Sequence, residues 1–473
     1  MLKPQPLTPK ARSFMGLNLK SIEDTVLATI INKKVEDVGA IEISDERHTP
    51  FRSLKKALTT GRGRHFILEC KKSSPTLGDF CRDFNLDRLL ECYETRASAI
   101  SVLCEEHFFK GSLEYLSYVR ERTSLPVICK DFIIDEAQLK AAAAAGADAV
   151  LLMLSLLERD RFLDLYEKAR ALGLEVLCEV DSIDDAVFAR DHHIPVVGIN
   201  NRDLRVLKID LQKARDLAPL FNAETTVVSE SGICSHEDLL SMNPINAFLI
   251  GSALSGADDV FYASNTMLYG LNKLCGITSF EALEAAIEGH AAICGFIFAK
   301  KSPRCVSVEF AKECVKRAHP QCRAAAVFVN EDPQVIAEVV RESLCDYVQL
   351  HGNDGPEIIA RLRKLLPETR IIKAISIKDP ADFEKYRELA PLCDLILLDS
   401  KSPGSGKSFD WDTIPSFVDK GRTLISGGIG IDNLNYALGL GFAGVDMNSK
   451  LESSAGVKDP ALVRRAFEII KEF

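Results

Sequence analysis

Short apolar runs rich in β-branched and aromatic residues alternate with longer segments of helical period from Phe66 to the end of this 473-residue chain. That alternation is the pattern of βα units feeding a parallel sheet, and the number of units limits the fold more than composition does. In the first half, strands are predicted at 65–71, 99–104, 126–130, 149–154, 175–179, 196–200, 226–230 and 247–251. In the second half they are predicted at 271–276, 292–298, 323–329, 346–350, 370–374, 394–399, 423–427 and 443–447. Between them, stretches such as Leu86–Arg96, the alanine-rich Glu136–Ala145 and Glu158–Leu172 are long enough for crossover helices. Eight such units close a barrel, so the expected fold is α/β, two tandem (β/α)8 TIM barrels over residues 1–269 and 270–473. Residues 1–60 precede the first strand. There Ser21–Lys34 is predicted as a helix capped by Ser21, with Glu23 and Asp24 in its first turn, lying across the barrel mouth.

A net charge of -10 argues against a general affinity for nucleic acid, while leaving room for local basic pockets that hold small anions. No apolar run reaches the roughly 18 residues of a membrane span, and the N-terminus lacks a secretion-signal pattern, so a cytosolic protein is expected. The 14 cysteines form no CxxC pair, which signals neither zinc nor a redox motif and favours buried, reduced thiols. With no metal cluster and no dinucleotide fingerprint, no metal and no cofactor are expected, and a monomer is preferred.

Catalytic groups of such a barrel come from the carboxyl ends of its strands. In the first half those ends carry Glu69 and Lys71, Lys130, Glu179, Asn200 with Arg202, and Glu230. Any one could be a rim charge in a salt bridge. Two lysines and three carboxylates in one pocket, however, must shift one another's proton affinities, which is what acid–base chemistry needs. Ser231-Gly232 after strand seven and Gly251-Ser252 after strand eight match the usual barrel phosphate site, where backbone N–H groups meet an anion. The second half carries Cys275, His351, Asp399, Gly427-Gly428 and Asn448-Ser449 at equivalent ends. A thiol and one carboxylate on separate strands suit a two-base proton shuttle, with glycines again supplying the phosphate cradle. Pro403–Lys407 lacks the spacing of a P-loop and reads as a substrate-covering loop, while His192-His193 falls at the barrel bottom and receives no role.

Four motifs, Ile67–Pro75, Val127–Ile133, Gly198–Leu204 and Ser229–Ile233, closely resemble indole-3-glycerol-phosphate synthase over about residues 20 to 265. Lys273–Thr278, Ser302–Arg304, Val348–Gly352, Leu397–Asp399 and Gly404–Gly406 with Phe409–Trp411 resemble phosphoribosylanthranilate isomerase from about residue 271 onward. The whole chain is similar to bacterial fusions of these two tryptophan-pathway enzymes in this order. For the isomerase half the resemblance implies an Amadori rearrangement with Asp399 as general acid, Cys275 as general base, Arg304 holding the anthranilate carboxylate and His351 lining the pocket. For the synthase half it implies Lys130 as principal general acid, Glu179 as its carboxylate partner and Lys71 as a second lysine. Glu69, Asn200 and Glu230 complete the polar surround. Ser74, Gly232, Gly251 and Ser252 match phosphate contacts, and Phe109 and Phe132 match the walls that grip the anthranilate ring. Two readings compete: a histidine-pathway sugar isomerase, against which Cys275 and Lys373-Ala374 stand where aspartates would be expected, and a barrel decayed into a scaffold.

Overall fold

Strands that are buried on both faces are near-continuous apolar runs, and sixteen of those runs here pair in parallel into two closed barrels. The structure is a computed structural model and describes residues 2–41, 49–203, 205–400 and 409–473. The first barrel comprises β1 (His65–Cys70), β2 (Ala99–Leu103), β3 (Val127–Lys130), β4 (Ala149–Met153), β5 (Glu175–Val180), β6 (Val196–Asn200), β7 (Thr226–Glu230) and β8 (Ala247–Ile250). It closes where β1 pairs with β8. The second comprises β9 (Lys273–Cys275), β10 (Ile293–Ile297), β11 (Arg323–Phe328), β12 (Tyr347–Leu350), β13 (Arg370–Ile377), β14 (Leu395–Ser400), β15 (Thr423–Ile425) and β16 (Gly444–Met447). It closes where β16 pairs with β9. A short hairpin, β17 (Glu452–Ser454) and β18 (Val457–Lys458), follows β16. The chain divides into two compact units, Met1–Cys234 with Ser241–Val260, and Phe261–Phe473 with Ser235–Leu240, so most of the helix Val260–Tyr269 groups with the second.

Two expectations are corrected. The predicted helix Ser21–Lys34 is instead a short helix, Leu19–Ile22, followed by Val26–Val38. Asp24 adopts a left-handed φ of 57°, which breaks helical continuation, and Thr25 rather than Ser21 is the cap, its hydroxyl accepting from the Ala28 N–H. The longer helix does cover the mouth of the first barrel, where Val26, Leu27 and Ile30 wall a cleft. Strand β13 runs to Ile377, past its expected end at Ala374, because β14 continues to pair with it through Ser376↔Asp399 and Ile377↔Ser400. Lys373 is therefore mid-strand. Alternation sends Ile372 and Ala374 to the inner cluster and Lys373 to the opposite face, where its ammonium donates to the Leu350 and Gly352 carbonyls. His192 ends the helix Ile183–Asp191, exposed and ahead of β6, as the location rule requires. The Pro403–Lys407 loop lies outside the described residues.

At the amino ends of the strands a repeated device ties neighbouring strands together. A carboxylate just before one strand accepts the N–H that opens, or nearly opens, the strand before it: Asp148 from Val127, Asp346 from Ala324, and Asp394 from Ile371. Asp148 is fully buried and also holds Arg120 Nη1 at 2.9 Å and the Arg52 N–H at 2.8 Å. Removing one partner of a buried ion pair strands the other and costs about 3–5 kcal/mol. Asp148→Ala is therefore expected to destabilise the first unit by that amount, read as lost hydrogen-exchange protection in β3 and β4. Unchanged protection there would refute the assignment.

Candidate active sites

Alternation places every second side chain of a barrel strand inside, and at the carboxyl ends of the first barrel those inner positions are charged. Lys130 Nζ donates to Glu230 Oε2 at 2.8 Å and lies 3.5 Å from Glu69 Oε2. Lys71 Nζ lies 3.4 Å from Glu69 Oε1, and Asn200 favours the charged form of the nearby Glu179 carboxyl. The strand ends thus bring together every acid and base expected from the first half.

Burial by itself would favour neutral Lys130, but Glu230, Glu69 and Glu179 outweigh it and push its pKa up. Burial likewise opposes the charge on Glu69, yet Lys71 and Lys130 hold that carboxyl below its ordinary range. Lys71 is pushed down by burial, which Glu69 only partly offsets. Glu179, buried beside the charge of Glu230, is pushed up to about 8. Two residues without side chains make the ring of charges possible. A Cβ on Gly198 would stand 1.8 Å from Glu230 Oε1, and one on Gly251 would stand 2.2 Å from Glu69 Oε1. Gly251, expected as a phosphate contact, thus also supplies the space that the Glu69 carboxylate fills.

Above these groups the cleft is lined by Lys71, Ser74, Phe109, Phe132 and Arg202. The Phe109 and Phe132 ring centroids are 6.1 Å apart, and the Lys71 ammonium sits 5.5 Å from that of Phe109. Glu105, which sequence reasoning missed, is buried and accepts the N–H groups of His107, Phe108 and Phe109, shaping the loop that presents the ring. Lys34 on the covering helix pairs with Asp131 at 2.8 Å, directly after Lys130. Ser231 and Gly232 have φ of 64° and 90°, the turn expected of an anion-facing loop. Buried Asn201 ties that loop down by donating to Ser229 Oγ and the Ser231 carbonyl. Gly251 precedes the single helical turn Ser252–Ser255.

In the second barrel His351 Nε2 lies 3.1 Å from Asp399 Oδ2, and Gln349 Nε2 lies 3.1 Å from His351 Nδ1. A ring that accepts the Gln349 N–H at Nδ1 donates from Nε2 to Asp399 Oδ2. Cys275 is buried, and burial raises its thiol pKa although Lys273 opposes this. Lys273 is fully buried and donates to Asp446 Oδ1 at 2.9 Å. The Arg304 guanidinium is held in bidentate fashion by Glu452, at 2.7 and 2.8 Å. Lys458 Nζ reaches Glu452 Oε1 at 2.5 Å and Asn448 Oδ1 at 2.8 Å. Burial opposes ionisation of Glu452, but Arg304 and Lys458 hold it down at about 2. Gly427 and Gly428 turn with φ of 94° and 68°, and Asn448 and Ser449 open the single turn after β16.

Lys273, Asp446, Glu452 and Lys458 were not expected from the sequence. Lys273 and Asp446 could have been found by the same period of two, since they sit two residues before Cys275 on β9 and before Asn448 just past β16. Glu452 and Lys458 carry no such signal, because the hairpin alone brings them to Arg304.

A family model described as indole-3-glycerol phosphate synthase matches residues 19–267, and one described as N-(5'phosphoribosyl)anthranilate (PRA) isomerase matches residues 272–469. Among curated relatives, the "Tryptophan biosynthesis protein TrpCF" of Helicobacter pylori is 37% identical over 430 residues, covering 89% of this chain and 93% of that protein. The protein of the same name from Salmonella typhi is 38% identical over 410 residues, covering 86% and 89%. That of Haemophilus influenzae is 35% identical over 470 residues, covering 94% and 97%.

The raised proton affinity of Glu179 has a thermodynamic cost with a definite sign. Its folded pKa of about 8 exceeds its unfolded value, so the native state holds the proton more tightly and loses stability as pH climbs from the ordinary carboxylate range through about 8. Glu179→Gln is expected to unfold at a higher temperature than the parent at pH 9, with the gap closing toward pH 5. A gap that does not vary with pH would contradict the electrostatic account.

Proposed function

The chain belongs to the family in which indole-3-glycerol phosphate synthase and phosphoribosylanthranilate isomerase follow one another on one polypeptide, and on that premise we propose how its residues divide the two reactions. It is a bifunctional enzyme of tryptophan biosynthesis. The second unit isomerises N-(5′-phosphoribosyl)anthranilate to 1-(2-carboxyphenylamino)-1-deoxyribulose 5-phosphate, and the first cyclises and decarboxylates that product to indole-3-glycerol phosphate.

In the isomerase unit, Asp399 donates a proton to the ribose ring oxygen, which opens the ring to an iminium at C1. The Cys275 thiolate then removes the C2 proton, leaving an enolamine that tautomerises to the ketone. Supporting Asp399 as the acid is the His351 contact at 3.1 Å, which keeps the carboxyl oriented. Arg304, held flat by Glu452, presents its remaining N–H groups to the anthranilate carboxylate. Gly427, Gly428, Asn448 and Ser449 receive the phosphate.

In the synthase unit, the observation that carries the reading is the Lys130 ammonium held 2.8 Å from Glu230 while Glu179 stays poised near neutrality. Lys130 protonates the ketone oxygen as the anthranilate ring carbon bonds to C2′, and loss of CO2 restores the electron pair. Glu179, whose two protonation states interconvert near pH 8, moves the protons of the dehydration step. Lys71 is the second proton donor in the cleft. Phe109 and Phe132 grip the aromatic ring, Arg202 and Ser74 stand beside it, and Ser231, Gly232, Gly251 and Ser252 take the phosphate.

The protein acts as a cytosolic monomer in this reading. Twelve of its 14 cysteines are buried, as suits a reducing compartment, and among the described residues no helix is long and apolar enough to cross a membrane. Sedimentation at micromolar concentration tests the monomer, and a mass of twice 52.1 kDa would replace it.

Given phosphoribosylanthranilate alone, the protein is expected to release indole-3-glycerol phosphate. Lys130→Ala should halt at the deoxyribulose intermediate, with synthase turnover down by about 10²–10⁴ and isomerase turnover intact. Asp399→Ala should leave phosphoribosylanthranilate unconsumed while still converting supplied intermediate. A substitution that spares its own reaction would remove that residue from the scheme.

A further inference from the structure

Cys275 poses a problem for the reaction just described. The thiol is 3% exposed, and a neutral thiol in such surroundings does not lift a C–H proton at neutral pH. Something must hold the anion. The charged groups that face it are Lys273 on its own strand, Asp446 on β16, Lys458 on β18 and Arg304 in the loop after β10, with Glu452 of β17 between the last two.

Among the cations of the described residues, Lys273 does most to favour the charged form of the thiol. Gly295 on the neighbouring strand makes the approach possible, since a Cβ there would stand 2.9 Å from Cys275 Sγ and 3.0 Å from Lys273 Nζ. Lys458 and Arg304 are both committed to Glu452. Lys273 has one carboxylate partner, Asp446, which fixes the ammonium at 2.9 Å and is itself within the field of Asp399 and His351. A fully buried lysine two residues before the base, on the same inner face, is thus aimed at the sulfur from below.

Resting on the reading of Cys275 as the isomerase base, we propose that Lys273, fixed by Asp446, is a positioning residue that lowers the cost of forming the Cys275 thiolate that accepts the substrate proton. The ammonium keeps its own proton throughout. The sulfur gains the C2 hydrogen as a proton, the C–H electron pair stays with the substrate, and no redox partner is involved.

The alternative is that Lys273 and Asp446 merely fill the barrel core, and the two roles separate by sign. Lys273→Met deletes the positive charge and should move the alkaline-going rise of isomerase kcat/KM upward by at least about one pH unit, with the same displacement in the pH at which iodoacetamide alkylates Cys275, followed by peptide mass spectrometry. Asp446→Asn keeps an oxygen for the ammonium but deletes a negative charge, and should move both readouts down. Loss of activity in either variant without displacement of the two midpoints would overturn the proposal. Trp411 is the single tryptophan and lies in the second unit, so its emission reports whether each variant folds there. If Lys273→Met loses native emission, Asp446→Asn decides alone: a downward displacement supports the proposal, and an upward one or none overturns it. Cys275→Ser separates the two levels of inference, because a loss of isomerase turnover under tenfold would refute Cys275 as the base whatever Lys273 does.

Discussion

Everything chemical in this protein depends on burying ions in the mouth of a closed parallel sheet. Taking an isolated carboxylate or ammonium out of water costs several kcal/mol even after relaxation, so such groups persist only when interleaved with opposite charge. In the first barrel the interleaving is Lys71, Glu69, Lys130 and Glu230, each within 3.5 Å of the next. Glu179 stands outside that alternation, and burial together with the charge of Glu230 pushes its pKa up to about 8. The arrangement that stabilises four charges leaves a fifth group free to exchange its proton, and that is a working definition of an acid–base site.

The second barrel solves the same problem with different chemistry. Around its thiol, among the described residues, stand two clusters of buried charge, Lys273 with Asp446 and Arg304 with Glu452 and Lys458. Asp399 is paired with His351 at 3.1 Å. In both barrels glycines on inner strand positions create the necessary room: Gly198 and Gly251 for carboxylates, Gly295 for a thiol and an ammonium. Replacing any of them by alanine would bring a methyl group within 3 Å of a carboxylate oxygen or the thiol sulfur, which would have to shift to make room.

The local sequence carried a good deal of this. All sixteen barrel strands lie where alternating composition predicts them, because a strand covered by neighbours on both sides and helices on one face must be apolar almost throughout, and that signal is local. Cys275, His351, Asp399 and the ring around Lys130 were legible for a related reason, since polar residues that end an apolar strand have few places to point except the mouth. The failures are also local in origin. Ser21 and Thr25 are both competent caps, and only the left-handed turn at Asp24 selects the second. Strand β13 runs on past Ala374 through Ile375-Ser376-Ile377, where β14 supplies partners.

By itself, then, the sequence determined the number of βα units, the inward parity of each strand and the residue types at the strand ends, all of which follow from periodicity along the chain. Only the tertiary structure decided which charges meet. Glu452 reaches Arg304 across 148 positions and Asp446 reaches Lys273 across 173, and those pairings set which lysine keeps its proton, which carboxyl holds one near neutrality and which cation faces the thiol. The physical reason is that ionisation in a buried site responds to distance in space, and strand parity limits direction without fixing distance.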